Sequence, residues 1–177
     1  LRLLFLGDVV GEPGRKAVAS FIPLMREDRG VNFVVVNGEN SAGGRGITPK
    51  IAIGLLRAGA TVITTGDHIW DQREIIDFLP TEPRLLRPLN YPDGTPGNGS
   101  IVLETEKGPV AVMNAQGRTF MNNPLENPLI SIDNELKKIR EDLDVKMVFL
   151  DFHAEATSEK IATGRYLDGK VSAVVGT

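Results

Sequence analysis

Phe33-Val34-Val35-Val36-Asn37-Gly38-Glu39-Asn40 is an apolar run that ends on a polar cluster. Four apolar residues, three of them β-branched, stop abruptly on a polar Asn-Gly-Glu-Asn tail. A short apolar run without polar alternation is a strand buried on both faces, the habit of parallel sheets. Five other runs have the same shape. Leu3-Leu4-Phe5-Leu6 closes on Gly7-Asp8, and Thr61 to Thr65 on Gly66-Asp67-His68. Val110 to Met113 closes on Asn114, and Val145 to Leu150 on Asp151-Phe152-His153. Ser172 to Val175 closes on Gly176-Thr177.

Most of the intervening segments suit helices. Pro13 fits a helix start, followed by Val18, Phe21, Ile22 and Met25 at helical spacing. Thr48-Pro49 reads as an N-cap and first position ahead of Ile51, Ile53, Leu55 and Leu56, a buried helix. Asp71 to Leu79 allows a short helix with Ile75, Ile76 and Leu79 on one side. Ile132, Leu136, Ile139 and Leu143 form an apolar stripe, with Lys137, Lys138 and Glu141 facing water. Thr81 to Gly99, rich in Pro, Gly and Asn, reads as a long surface loop. Ser100 to Val112 reads as a hairpin turning at Glu106-Lys107-Gly108. The pattern is α/β with one antiparallel piece, without repeats or a linker. We expect a single domain over 1–177.

Composition narrows the function. The 177 residues carry 20 Lys and Arg against 23 Asp and Glu, a net charge of −3, with 41% hydrophobic and 24% charged residues. That is ordinary globular usage. A mildly acidic chain has no field to gather nucleic-acid phosphates over a face, so no stable nucleic-acid complex is expected. No apolar run reaches the ~20 residues of a membrane span, so no membrane partner is expected. With no cysteine, disulfides, thiolate zinc sites and cysteine nucleophiles are excluded. This fits a reducing compartment, and a cytoplasmic location is expected.

The chemistry lies at the strand ends, where ligands bind in open α/β sheets. Those ends carry Asp8, then Asn37, Glu39 and Asn40, then Asp67 and His68, then Asn114, then Asp151 and His153. Both histidines of the chain are among them. Carboxylate, amide and imidazole groups together suit Mn²⁺, Fe, Zn²⁺ or Mg²⁺. Taken singly, Asp8 also reads as a turn residue or helix cap, Glu39 as a solvated loop acid, and either histidine as structural. Asp151 reads as structural, and Asn37 and Asn114 as partners of turn backbone. Topology is what pools the rest into a candidate metal cluster. Other motifs fail: Gly7 to Gly14 lacks dinucleotide-binding glycine spacing, no Walker lysine follows a Gly-rich loop, and Ser20, Ser41 and Ser158 lack a nucleophile elbow. Ser41 to Gly46 reads as a flexible loop near the metals, with Arg45 a candidate phosphate contact.

Four segments carry a family resemblance: Gly7-Asp8-Val9-Val10-Gly11, Asn37 to Gly44, Gly66-Asp67-His68-Ile69-Trp70-Asp71, and Asp151-Phe152-His153-Ala154-Glu155-Ala156-Thr157-Ser158-Glu159-Lys160. With Arg87-Pro88-Leu89-Asn90-Tyr91 between them, the sequence resembles the YmdB-type metallophosphoesterases of the calcineurin-like phosphoesterase superfamily. The resemblance runs in order over the whole chain. It implies an α/β sandwich of two β-sheets flanked by helices, and a dinuclear centre hydrolysing 2′,3′- or 3′,5′-cyclic nucleotides or other phosphodiesters. Mn²⁺ or Fe²⁺/Fe³⁺ is the implied pair, with Zn²⁺ or Mg²⁺ as alternatives. Asp8 would bind one ion, Glu39 would bridge both, and Asn40 would lie beside the first ion and the phosphate. Asp67 and His153 would bind the second ion. His68 would protonate the leaving alkoxide, and a hydroxide bridging two ions about 3.5–4 Å apart would attack phosphorus.

Two departures stand out. The family usually has Asn where this chain has Asp67. The family also continues Gly-Thr-His-Thr-His, whereas this sequence stops at Gly176-Thr177, just as it starts on Leu1 rather than Met. The expectation is a domain lacking its C-terminal part, inactive as 177 residues alone. Phosphomonoesterase or nucleotidase activity, or a binding protein that has lost the centre, are the alternatives. Oligomerisation stays open.

Overall fold

β2 (Phe33–Asn37) is the middle strand of a three-stranded parallel sheet, between β1 (Leu3–Leu6) and β3 (Val62–Thr64). The computed structural model describes residues 1–123, 125–143 and 145–177; the side chains of Asp142 and Leu143 lie outside that description. A second sheet holds β4 (Ser100–Leu103), β5 (Val110–Gln116), β6 (Met147–His153) and β7 (Ala173–Gly176) in that order. Its β4–β5 pair is antiparallel, the hairpin read from the sequence, and the other pairs are parallel.

The buried runs alternate between two cores. Phe33 and Val35 of β2, with Val62 of β3, meet Val110, Val112 and Phe149 of the second sheet. Phe5 and Phe149 bring ring centroids to 5.5 Å across that interface. Val34 and Val36 point the other way, onto Val18 and Ile22 of α1 (Gly11–Arg29) and Ala52 and Leu55 of α2 (Pro49–Arg57). The outer face of the second sheet packs Met113, Leu150 and Phe152 against Ile132, Leu136 and Ile139 of α4 (Pro128–Leu143). The period-2 alternation of a strand thus sends every second residue to a different core, and both cores are apolar. The result is two sheets face to face with helices outside, the sandwich expected. The stripe residue Leu143 has its side chain outside the described residues.

Three local expectations need correction. Thr48 caps α2 through Ile51 N–H at 3.2 Å, but Ile53 points outward, because Ala52 and Leu55 take the inner face. The helix read over Asp71 to Leu79 shrinks to α3 (Ile75–Phe78) and a tighter 3₁₀ turn to Thr81. Ile75 and Leu79, four apart, are buried, and Ile76, rotated about 100°, is 40% exposed. The stretch from Thr81 to Gly99 is not all surface loop. Leu85 and Leu86 are fully buried, and they bridge to Ile63 and Asn98 respectively. Leu89 N–H donates to the Asn114 carbonyl at 2.8 Å, so this segment links the two sheets. The buried Arg87 guanidinium donates to the carbonyls of Pro88, Thr95 and Pro96, holding the following turns.

A polar seam runs between the sheets at the carboxyl ends of the strands. The buried Asp151 accepts from Asn37 Nδ2 at 2.9 Å, Thr64 Oγ1 at 2.5 Å and Thr177 Oγ1 at 2.7 Å. Asn114 Nδ2 donates to the carbonyls of Thr65 at 2.9 Å and Leu86 at 3.3 Å. Asn37 and Asn114 therefore join elements across the two sheets rather than only closing their own turns. Among the described residues no helix is long and apolar enough to cross a membrane.

Candidate metal centre

Asp8, Glu39, Asn40, Asp67, His68 and His153 all line one cavity of about 440 Å³ at the carboxyl ends of the strands. Asp8 follows β1 with φ at +47°, a left-handed conformation that aspartate tolerates better than most side chains. Val9 N–H, bonded to the Asn37 carbonyl at 3.0 Å, and Gly11 N–H, bonded to that of Asn40 at 2.9 Å, hold this turn against the next one. Gly38 N–H donates to the Thr64 carbonyl at 2.9 Å, fixing Glu39 and Asn40 beside the end of β3. Asp67 and His68 follow β3. His153 is the last residue of β6, because that strand continues past its apolar run, pairing Asn114 with Asp151 and Gln116 with His153.

Glu39 is the centre of the arrangement, only 2% exposed. Its Oε1 accepts from Asn40 Nδ2 at 2.9 Å and lies 3.4 Å from His68 Nδ1. Its Oε2 turns the other way, 3.2 Å from His153 Nε2, yet is buried without a hydrogen bond. Asp67 Oδ1 lies 3.2 Å from the same His153 nitrogen. Donor atoms of Glu39, Asp67 and His153 all fall within 4.8 Å of one another. Asn40 joins Asp8 to this group, donating from Nδ2 to Asp8 Oδ1 at 2.8 Å. Its Oδ1 faces His68 Nδ1 at 2.8 Å.

Protonation follows from these neighbours. Burial raises the Glu39 carboxyl above its ordinary value, against the opposing pull of His153. The hydrogen bond from His153 lowers Asp67, with burial opposing. Burial works to depress His153, but the Asp67 hydrogen bond and the charges of Glu39 and Asp151 outweigh it and raise the imidazole. Carboxylates converging on an imidazole, one with an oxygen left unpaired, suit a cation. Glu39, Asp67 and His153 could hold one ion, and Asp8 and Asn40 flank the opposite oxygen of Glu39.

Gly66 keeps the space open. A Cβ there would lie 2.0 Å from Glu39 Oε2 and 2.3 Å from His153 Cδ2. Gly66→Ala must therefore push the carboxylate or the imidazole aside. Mn²⁺ affinity by titration calorimetry is expected to fall by about 100-fold, the upper end of the range for disturbing a ligand's support. An unchanged affinity would show that the cradle is not where the ion sits.

Arg45 needs correction as a phosphate contact: its guanidinium bonds Asp71 at 2.8 Å and does not line the cavity. Sequence reasoning missed a wall made by Phe120, Met121 and Asn122, and the contributions of Lys160 and Thr177. The signal was available for the wall, since Gly117-Arg118-Thr119 follows β5 as other turns follow the parallel strands. Thr177 Oγ1 lies 3.2 Å from His153 Nδ1 while donating to Asp151, so that imidazole is held on both sides.

The chain is similar to known proteins over its whole length. The chain is 46% identical over 177 residues to the 2′,3′-cyclic-nucleotide 2′-phosphodiesterase of Bacillus subtilis strain 168. A solved structure of a hypothetical protein from Thermus thermophilus superposes with a TM-score of 0.90 at 41% identity, over 100% of this chain. A Mycoplasma pneumoniae structure described as a novel phosphatase superposes with a TM-score of 0.90 at 32% identity, over 99% of this chain. The chain spans about two thirds of these relatives: 66% of the Bacillus protein, 67% of the Thermus chain and 63% of the Mycoplasma chain. The family model for YmdB-like proteins matches residues 4–177, so the chain belongs to the YmdB-like protein family.

Proposed function

We propose that the protein hydrolyses cyclic nucleotides, as 2′,3′- or 3′,5′-cyclic phosphodiesters, at a dinuclear metal centre. The observation that carries this is Glu39. A buried carboxylate with one oxygen toward Asp8, Asn40 and His68 and the other, unpaired, toward Asp67 and His153 suits a bridge between two cations. The name of the Bacillus relative supports the substrate class. Mn²⁺ or Fe are the favoured ions for this mixed oxygen and nitrogen set, with Zn²⁺ or Mg²⁺ as alternatives. Divalent ions in such a cradle supply Lewis acidity toward the phosphate oxygens and a nucleophilic water at neutral pH.

The chain's own residues set the proton path. Asp8 and Glu39 accept hydrogen bonds through their carboxylate oxygens, so Asn40 turns its NH₂ to them and its oxygen to His68. His68 Nδ1 must then be the donor in that contact, and Nε2 is the free position. A protonated His68 carries its mobile proton at Nε2, facing the cavity, where it can be given to the leaving alkoxide. Water restores it after product leaves.

The test is turnover of a 2′,3′-cyclic nucleotide by the full-length protein in excess Mn²⁺, abolished by a chelator and restored by metal. Parallel assays of bis-p-nitrophenyl and p-nitrophenyl phosphate decide the second reading, a phosphomonoesterase. The description of the Mycoplasma structure as a phosphatase favours that reading.

Asp67 adds a negative charge to the site where the family usually has asparagine. With Asp8, Glu39 and Asp67 ionised, three negative charges face two divalent ions, one more than with asparagine at 67. Asp67→Asn should raise kcat/KM several-fold, because a more positive site favours the anionic transition state. Affinity for the ion at His153 should weaken by about 10-fold or more. Steady-state rates across a Mn²⁺ titration separate the two effects. Unchanged or lower kcat/KM at saturating Mn²⁺ would show that Asp67 belongs to the tuned site.

A further inference from the structure

Phe120 carries two free-energy costs and gains no packing in return. It is 84% exposed, more than any other large apolar side chain among the described residues. Its backbone has φ at +64°, a region that is costly for a bulky side chain. It occupies the third position of a turn closed by Met121 N–H donating to the Arg118 carbonyl at 3.2 Å, where glycine or asparagine would be at ease.

The turn is anchored to the rest of the fold. The Glu159 carboxylate accepts from Arg118 N–H at 2.9 and 3.1 Å and from Thr119 N–H at 3.0 Å. Gly117 fits flush beneath it: a Cβ there would lie 2.6 Å from Glu159 Oε2 and 2.7 Å from Ala154 Cβ. These contacts fix the strained turn that carries Phe120 in the wall of the cavity that Asp8, Glu39, Asp67, His68 and His153 also line.

We infer that Phe120 is a stacking platform for the nucleobase of a nucleotide whose phosphodiester occupies the carboxylate–histidine centre. This rests on the phosphodiesterase reading above. That centre is polar and charged, and recognises only the phosphate end of such a ligand. The cavity has the size of a small-molecule site, and its polar floor meets one flat apolar group in the wall. A phenyl ring offers a π-face and no hydrogen-bonding group, so it holds any base by its face without reading its edge. The platform therefore favours nucleotides over other diesters and discriminates little among bases.

The experiment compares kcat/KM for a 2′,3′-cyclic nucleotide with that for glycerol 1,2-cyclic phosphate, the same ring without a base, in full-length wild type, Phe120→Ala, Phe120→Gly and Phe120→Trp. The preference for the nucleotide should fall about five- to 150-fold in the alanine and glycine variants, mostly through KM, and survive in the tryptophan variant. Phe120→Gly should meanwhile raise Tm by about 2–4 °C, since glycine accepts the positive φ. That gain separates loss of the platform from loss of the fold. If wild type hydrolyses both diesters and the preference is the same in all four proteins, the platform is overturned while the phosphodiesterase reading stands. If wild type hydrolyses neither, that reading falls and the platform with it.

Discussion

Glu39→Gln in the full-length protein is expected to lower kcat/KM for a cyclic nucleotide at least about 10³-fold, the equivalent of about 4 kcal/mol of transition-state stabilisation. An amide keeps the shape of the side chain but removes the charge that both halves of the site share. Bound metal, by elemental analysis, should drop from two ions per chain to fewer than one. The metal-free protein should respond in the opposite sense. Burial raises the Glu39 carboxyl, so at neutral pH its ionised form costs folding free energy. The stability of this group is fully present below the ordinary glutamate value of about 4.3 and is lost as pH rises through the raised value. Metal-free Glu39→Gln should therefore melt above metal-free wild type at pH 7, with the gap closing toward pH 4. Added Mn²⁺ should raise Tm in wild type and leave the variant unmoved. Full activity with two ions bound would remove the bridging role.

His68→Ala should cost about 10²–10⁴-fold in turnover of a diester with an alkoxide leaving group. The ring is held through Nδ1 by Asn40 at 2.8 Å, while its Nε2 lies 3.7 Å from Asp67 Oδ2, beyond a hydrogen bond. A nitrophenolate leaves without protonation, so the loss should shrink sharply on bis-p-nitrophenyl phosphate. Metal content should stay constant. Equal losses on both substrates, or loss of metal, would make His68 a ligand rather than an acid.

The sandwich was legible because its strands announce themselves. Phe33 to Val36 is apolar at every position, and only a strand with a core on each side needs that. The candidate site was legible for a related reason. Polar residues packed directly behind such runs have nowhere to go except the rim of the sheet, and all six named from sequence line one cavity. What stayed hidden depends on partners distant in the chain. Leu85 and Leu86 look like loop residues until Ile63 and Asn98 pair with them. Asn37 looks like a turn residue until Asp151, 114 positions away, accepts its amide. Phe120 carries no local mark of exposure, since a lone phenylalanine in sequence reads as core. The turn itself follows β5 legibly, but what anchors it becomes visible only when Glu159, about 40 residues downstream, is seen holding Arg118 and Thr119.

Anomalous diffraction at the manganese edge, from crystals of the full-length protein grown with Mn²⁺, tests the dinuclear centre directly. Two peaks are expected about 3.5–4 Å apart with the Glu39 carboxylate between them, one beside Asp8 and Asn40 and the other beside Asp67 and His153. A single peak at saturating Mn²⁺, or two peaks with Glu39 contacting only one, would contradict the bridged dinuclear centre.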